Sequence, residues 1–127
     1  AHFFSQHTRV FGCEPENAND AFHSFREGKI LPSVNPNTIA DGLKTSLGDK
    51  TFPIIYQLVE GIITVTEAEI VAAMRLVWER MKLIIEPSAA VSLAALLNRK
   101  GEFKGKRVGV IFTGGNLDLG KVGELFG

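Results

Sequence analysis

Apolar and polar positions follow two different periods along the chain, and together they predict strands that alternate with helices. Short apolar runs rich in β-branched residues predict strands at Arg9–Cys13, Ile62–Val65 and Val108–Phe112. Apolar residues at helical spacing predict helices over Thr66–Lys82 and Pro87–Asn98. This alternation is typical of an α/β fold in three layers, with a mainly parallel sheet flanked by helices.

The predicted helix over Thr66–Lys82 has the most specific local signals. Thr66 and Glu69 have the spacing of a capping box, which satisfies free backbone N–H groups at a helix start. Arg75 and Glu79 lie four residues apart and can pair across its polar face. The apolar face that we expect to be buried comprises Ile70, Ala73, Met74, Val77 and Met81.

Shorter elements are predicted between these. Asn17–Glu27 is expected to form a helix, with Asn17 as its N-cap and Gly28 as its stop. Thr51–Glu60 is predicted to be a helix with a proline in its first turn. Lys29–Asn37 contains two prolines and two asparagines, which predicts an extended loop.

The two ends of the chain indicate a piece of a longer protein. The sequence begins at Ala1 without a methionine, and Ala1–Ser5 is predicted to be the tail of a helix. The sequence stops at Gly127, within another predicted helix. We therefore expect residues 1–127 to be a fragment of a larger functional unit.

Composition narrows the class of protein. Hydrophobic residues make up 45% of the 127 positions, which excludes a disordered chain. Fourteen basic residues balance fourteen acidic ones, so neither a nucleic acid nor an anionic membrane is expected as a partner. No apolar run approaches the roughly 18 residues that a membrane-spanning helix needs. The single cysteine, Cys13, excludes an internal disulfide, fits a cytoplasmic location, and is interpreted as a small apolar residue.

Three places can carry chemistry, and each also has a purely structural interpretation. Thr113–Asn116 is predicted to join a buried strand to a helix, which suits a bound anion or a tight turn capped by its asparagine. Glu14 and Asp20 could converge on a hard cation with a backbone carbonyl between them, or be solvated acids near a helix start. Glu86 precedes an apolar helix as an active-site carboxylate or a helix-start acid, and Lys82 could pair with it.

Four segments occur in an order and at separations that resemble a known family. They are Glu14–Asp20, Thr38–Gly42, Trp78–Ala89 and Thr113–Asp118. Together they resemble the serine racemases and related serine/threonine dehydratases, which are fold-type-II pyridoxal-phosphate enzymes of the tryptophan synthase β-like group. The resemblance extends from about Val10 to the end of the chain, and it implies part of the large domain of such an enzyme.

Two motifs of that family are missing from this sequence. They are the Ser-x-Lys-x-Arg-Gly type motif, whose lysine forms the Schiff base with pyridoxal phosphate, and the glycine-rich loop that binds the phosphate. The resemblance therefore implies that residues 1–127 are the C-terminal part of the enzyme, with no catalytic residue and no activity alone. The remainder of the enzyme is the implied partner, and a homodimer is the implied complete form.

Residue by residue, the resemblance implies a cofactor site and a metal site. Thr113 would face the pyridine nitrogen of pyridoxal phosphate, where serine is commoner in the family, while Gly42 and Glu86 would lie near the cofactor and substrate. A neutral hydroxyl at that nitrogen suits elimination or brief proton exchange. The metal site, for Mg²⁺, Mn²⁺ or Ca²⁺, would comprise Glu14, the Ala18 carbonyl and Asp20.

The implied activity is dehydration of L-serine or L-threonine to a 2-oxo acid and ammonia, or racemisation of serine. Lys82 and Asn116 match positions that contact ATP in animal serine racemases, which makes ATP a candidate effector. An alternative of a different class is a non-catalytic, metal-stabilised module that pairs with a complementary chain through a bare sheet edge. A third hypothesis is an unrelated flavodoxin-like binding domain.

Overall fold

A computed structural model describes the whole chain, Ala1–Gly127, and it has the predicted α/β class. Strands β1 (Phe11–Pro15) and β2 (Gly61–Val65) pair in parallel, with Phe11 opposite Gly61 and Pro15 opposite Val65. Six α-helices accompany them: α1 (Asp20–Glu27), α2 (Phe52–Leu58), α3 (Glu67–Met81), α4 (Pro87–Asn98), α5 (Lys100–Phe103) and α6 (Val122–Phe126). None of these helices has both the length and the apolar content required to cross a membrane.

Helix α3 confirms most of what its sequence predicts. Both hydrogen bonds of the capping box form between Thr66 and Glu69, and the Arg75 guanidinium lies 3.0 Å from the Glu79 carboxylate. The predicted face is buried except for Met81, which is 54% exposed because it lies in the last turn, beyond the part of α3 that packs against α4. Buried small side chains of α4 allow that close packing: Ala89, Ala90, Val91, Ala94 and Ala95.

The predicted third strand is wrong. Val108–Phe112 is extended but belongs to no sheet, and the sheet has two strands only. The carbonyl of Ile111 lies 3.1 Å from the Ser92 hydroxyl of α4, and the Ile111 side chain is 77% exposed. An apolar run becomes a strand only when a neighbouring strand accepts its ladder of hydrogen bonds, and here a side chain takes the place of that neighbour.

Two local predictions near the N-terminus also need correction. Ala1–Ser5 forms an isolated turn and not a helix tail, because only its own N–H groups bond back to the Ala1 carbonyl. Asn17 is not a helix N-cap, since Glu16–Ala18 is a 3-10 turn and α1 begins later, at Asp20. The predicted stop is confirmed: Gly28 ends α1 in the left-handed conformation, at φ +68°.

Parallel pairing places the carboxyl ends of β1 and β2 at one edge of the sheet. Glu14, near the end of β1, and the start of α3, directly after β2, therefore lie at this edge. The residues from Thr38 to Leu43, called here the Thr38–Leu43 segment, connect this edge to the first turn of α4. Candidate chemistry is concentrated along this edge, as expected for parallel α/β sheets.

Candidate functional site

Glu14 is buried, which excludes its interpretation as a solvated acid. Its carboxylate accepts the N–H groups of Ala21 and Phe22 in the first turn of α1, at 3.3 and 2.5 Å. Burial raises the pKa of Glu14 to about 7; the Phe22 and Ala21 N–H groups lower the pKa, and the nearby charge of Asp20 raises it. The structure therefore holds two acidic side chains close together in a poorly solvated place.

Asp20 is also buried, and its Oδ2 has no hydrogen-bond partner. Burial raises the pKa of Asp20, although its own backbone N–H, the Ser33 hydroxyl and the Leu47 N–H oppose that shift. A cavity of about 230 Å³ lies beside it, and its lining includes Ala18, Asp20, His23 and Ser33. An unpartnered buried carboxylate oxygen beside a polar cavity fits a bound cation.

The donor set is small. No group of three or more His, Cys, Asp or Glu side chains converges anywhere in the chain. A cation at Glu14 and Asp20 would therefore need backbone carbonyls or water as further ligands, and Ala18, buried in the 3-10 turn between them, can supply one.

A second cluster forms where Glu86 meets the two glycines that follow Thr113. The Glu86 N–H donates to the Gly114 carbonyl at 3.1 Å, and the Glu86 carboxylate lies against the Gly114 α-carbon. Gly115 lies equally close to the Ile84 carbonyl. Both positions therefore require glycine, since a Cβ at either would overlap the neighbouring chain.

The structure decides against the structural interpretations of Glu86 and Asn116. The Glu86 side chain makes no capping hydrogen bond to α4, so it is not a helix-start acid. No helix begins directly after Thr113–Asn116; the next turn starts at Leu119 and is capped by Asp118, which accepts the Gly120 N–H at 2.9 Å. The exposed Thr113 hydroxyl is thus left beside the Glu86 contact.

Gly42 lies at the same end of α4. Its N–H donates to the Ser88 hydroxyl at 3.1 Å, and a Cβ on Gly42 would lie only 3.0 Å from that oxygen. The first turn of α4 thus gathers Gly42, Ser88 and Glu86, and the N-terminus of a 12-residue helix adds partial positive charge there.

Lys82 and Asn116 are both exposed and make no direct contact with each other. Lys82 ends α3 in the left-handed conformation, at φ +58°, and forms no ion pair with Glu86. The two residues flank the contact between Ile84 and Gly115. Cys13 is half-buried and burial raises the pKa of its thiol, which agrees with its interpretation as an apolar residue.

Sequence reasoning missed Ser88 and Glu67. Ser88 bonds to Gly42 across 46 positions, and Glu67 bonds to the Ile39 N–H across 28 positions. The available signal was position: each follows directly on a helix start, and Glu67 also follows the end of a predicted strand.

Comparison with known proteins gives a family match over most of the chain. The profile of the family described as "Pyridoxal-phosphate dependent enzyme" matches residues 1–114. The serine racemase of Dictyostelium discoideum is 51% identical over 123 residues, covering 92% of this chain and 37% of that protein. The β-hydroxyaspartate dehydratase of Paracoccus denitrificans is 49% identical, covering 91% of this chain and 36% of that protein.

Solved structures agree with these matches. The crystal structure of the Dictyostelium discoideum serine racemase superposes with a TM-score of 0.81 at 52% identity, covering 87% of this chain and 36% of that one. The structure of maize serine racemase gives a TM-score of 0.83 at 38% identity, covering 93% and 37%. A crystal structure of a threonine deaminase from T.th. gives a TM-score of 0.82 at 41% identity, covering 91% and 43%. The chain thus spans little more than a third of the length of the curated relatives it matches.

Proposed function

The chain belongs to the family of pyridoxal-phosphate-dependent enzymes, with a tryptophan synthase β-like fold, and on that premise we propose that it is part of a lyase or isomerase. The proposed substrates are L-serine, L-threonine or 3-hydroxyaspartate, and the product is a 2-oxo acid with ammonia, or the inverted amino acid. One observation of the structure carries the proposal: Gly42, Glu86 and the Thr113–Gly114 turn meet at the first turn of α4. The relatives named above are all enzymes of this chemistry, so the hypothesis of a non-catalytic module has no support.

The residues present fit pyridoxal phosphate. Gly42 and Gly114 present bare backbone where a methyl group would be crowded, and Thr113 exposes a hydroxyl beside them. Such a surface lets a flat ring approach the backbone closely and meet a hydroxyl at its edge. When bound, pyridoxal phosphate supplies an electron sink for chemistry at the α-carbon of an amino acid.

Each residue has a distinct role in this proposal. The Thr113 hydroxyl meets the ring nitrogen without giving it a full positive charge. Gly42 keeps the Thr38–Leu43 segment close to the ring, and Ser88 holds the Gly42 N–H in place. The Glu86 carboxylate, fixed against Gly114, limits how far the ring can shift. Positioning of this kind accounts for much of what a protein adds to a reactive cofactor.

We further propose a divalent cation, Mg²⁺, Mn²⁺ or Ca²⁺, at Glu14, the Ala18 carbonyl and Asp20. The unpartnered Asp20 Oδ2 and the burial of both carboxylates support it, because a cation would offset the repulsion between them. The Asn37 N–H donates to the Asn17 carbonyl at 3.1 Å, which ties this turn to the Thr38–Leu43 segment. The proposed role of the ion is therefore to organise the fold and not to take part in the reaction.

Three further assignments rest on the same proposal. Lys82 and Asn116 are proposed contacts for ATP as an effector, supported by their exposure on either side of the Ile84–Gly115 contact. Residues 1–127 are proposed to be the C-terminal part of an enzyme domain, with the lysine that carries the cofactor in another part of a homodimeric protein. A cytoplasmic location is proposed because the one cysteine is free.

The activity is tested in the protein that contains this chain and the rest of the domain. We expect ammonia and a 2-oxo acid from L-serine, L-threonine or 3-hydroxyaspartate, or D-serine from L-serine, each dependent on added pyridoxal phosphate. This chain alone is mixed with pyridoxal phosphate and treated with borohydride as a control. A stable reduced adduct at one unique lysine of this chain would contradict the assignment of the reactive lysine to another part.

A further inference from the structure

The Thr38–Leu43 segment carries Gly42 to the proposed cofactor site, yet few bonds hold it there. At one end the Ile39 N–H donates to Glu67 Oε2 at 2.8 Å. At the other end the Gly42 N–H donates to Ser88. Between them, the Asp41 N–H donates to the Ile39 carbonyl at 3.0 Å. The position of Gly42 therefore depends on the position of Ile39.

Glu67 has no local task that would explain its orientation. It is the first residue of α3, but the capping box of that helix is completed by Thr66 and Glu69. An acidic side chain in a first turn can interact with the helix dipole while it remains in water. The Glu67 carboxylate instead reaches across to a segment 28 residues earlier in the chain.

That orientation carries a penalty. Glu67 Oε1 is buried and has no hydrogen-bond partner. A buried, unpartnered carboxylate oxygen is unfavourable, and the charge-assisted bond from the Ile39 N–H to Oε2 is the interaction that compensates for it. A side chain held in an unfavourable place by one long-range bond points to a role for that bond.

We propose that Glu67 is a positioning residue for the cofactor site, an inference that rests on the proposed function. Its carboxylate fixes the Ile39 N–H, and the fully buried Ala40 next to it fills a fixed place in the core. The Ala40 carbonyl accepts the Leu43 N–H at 2.9 Å, so the turn that contains Asp41 and Gly42 is built directly on this anchor. Glu67 itself touches neither cofactor nor substrate in this role.

The test compares variants with one another in two measurements. Glu67→Ala removes the acceptor, Glu67→Gln retains an oxygen at the same reach, and Glu67→Asp retains the charge but withdraws it. Glu69→Ala is the matched control, because it weakens the start of the same helix and leaves the Ile39 bond intact. The measurements are amide hydrogen exchange at Ile39, Asp41 and Gly42, and the Kd for pyridoxal phosphate in the complete enzyme.

We expect Glu67→Ala and Glu67→Asp to speed exchange at these amides and to weaken pyridoxal phosphate binding by at least about tenfold, the equivalent of one charge-assisted hydrogen bond. Glu67→Gln should restore both, and Glu69→Ala should lower Tm without changing either. Should Glu67→Ala fail to fold, Glu67→Asp provides the same comparison.

Two results overturn the inference: unchanged exchange at Ile39 and Gly42 in Glu67→Asp, or equal loosening in Glu69→Ala. An unchanged Kd in Glu67→Asp, in an enzyme whose wild type binds the cofactor, also overturns it. A wild-type protein that binds no pyridoxal phosphate contradicts the proposed function instead, and the exchange measurement then still reports on the anchor.

Discussion

The α-carbon of Gly114 lies directly against the carboxylate of Glu86, with no space between them for a methyl group. The next residue, Gly115, has the same relation to the backbone carbonyl of Ile84. The two glycines therefore differ in one respect: a flexible side chain crowds the first, and rigid backbone crowds the second. This difference makes their substitutions separable.

Gly114→Ala should displace the Glu86 carboxylate and weaken cofactor binding while it leaves stability almost unchanged. Gly115→Ala should lower the free energy of unfolding by about 1–3 kcal/mol, because the Ile84 backbone has to move. Gly109→Ala is the control, since nothing lies within 4 Å of a Cβ there. Denaturant unfolding and cofactor titration measure the two effects; equal destabilisation by all three variants would contradict the contact.

Stability should fall as pH rises through the interval between the unfolded and folded pKa values of Glu14. Burial raises the pKa of Glu14 from 4.5 to about 7, so the native state holds a proton that the unfolded chain releases. The stabilising contribution is therefore complete below about pH 4.5 and is lost by about pH 7, on the order of 2 kcal/mol. The pKa of Asp20 is also raised by burial and adds an effect of the same sign.

Glu14→Gln should remove most of this dependence, because it keeps an oxygen for the Ala21 and Phe22 N–H groups without a titratable proton. Denaturant unfolding of wild type and variant across this pH interval is the measurement. A wild-type stability that rises with pH over the same interval would show that Glu14 is not destabilised by its burial.

Mg²⁺ or Ca²⁺ should raise the Tm of the wild-type chain, and the gain should be greatest near neutral pH, where both carboxylates are ionised. At 100 times its Kd, an ion that binds only the native state adds about 2.7 kcal/mol. Asp20→Ala should lose this gain, whereas Asp49→Ala, which removes an exposed acid elsewhere, should retain it. Equal stabilisation of all three proteins by the ion would exclude the Glu14–Asp20 turn as the binding site.

Thr113→Ser should keep cofactor affinity in the complete enzyme, because it retains the hydroxyl, whereas Thr113→Val should weaken it by about tenfold. The Thr113 side chain is exposed, so neither change should alter the Tm of the chain alone. Absorbance titration with pyridoxal phosphate is the measurement. Full affinity in Thr113→Val would remove Thr113 from the cofactor site.

Local signals made α3 predictable. The Thr66–Glu69 capping box and the period of its apolar face act within a few residues, so the sequence alone contains them. Glu14 and Asp20 were likewise recognised as a pair because only one short turn separates them. These features need no knowledge of how distant parts of the chain pack.

Long-range relations could not be read in the same way. Val108–Phe112 has the composition of a buried strand, but strand formation depends on a neighbour that composition does not identify. The bonds of Glu67 to Ile39 and of Ser88 to Gly42 join residues that fold topology alone brings together. The family resemblance indicated which segments meet, and the structure adds the individual atoms that hold them.

The distance between the two proposed sites is spanned by a piece of chain that has no slack. Asn37 is bonded to the cation turn, Ile39 to α3 and Gly42 to α4, so a fixed anchor occurs every two or three residues. Adding or deleting one residue here would break at least one anchor or turn a buried side chain outward. We therefore expect relatives to keep the spacing between Asn37 and Gly42 constant, while insertions accumulate in the proline-containing loop Lys29–Pro36.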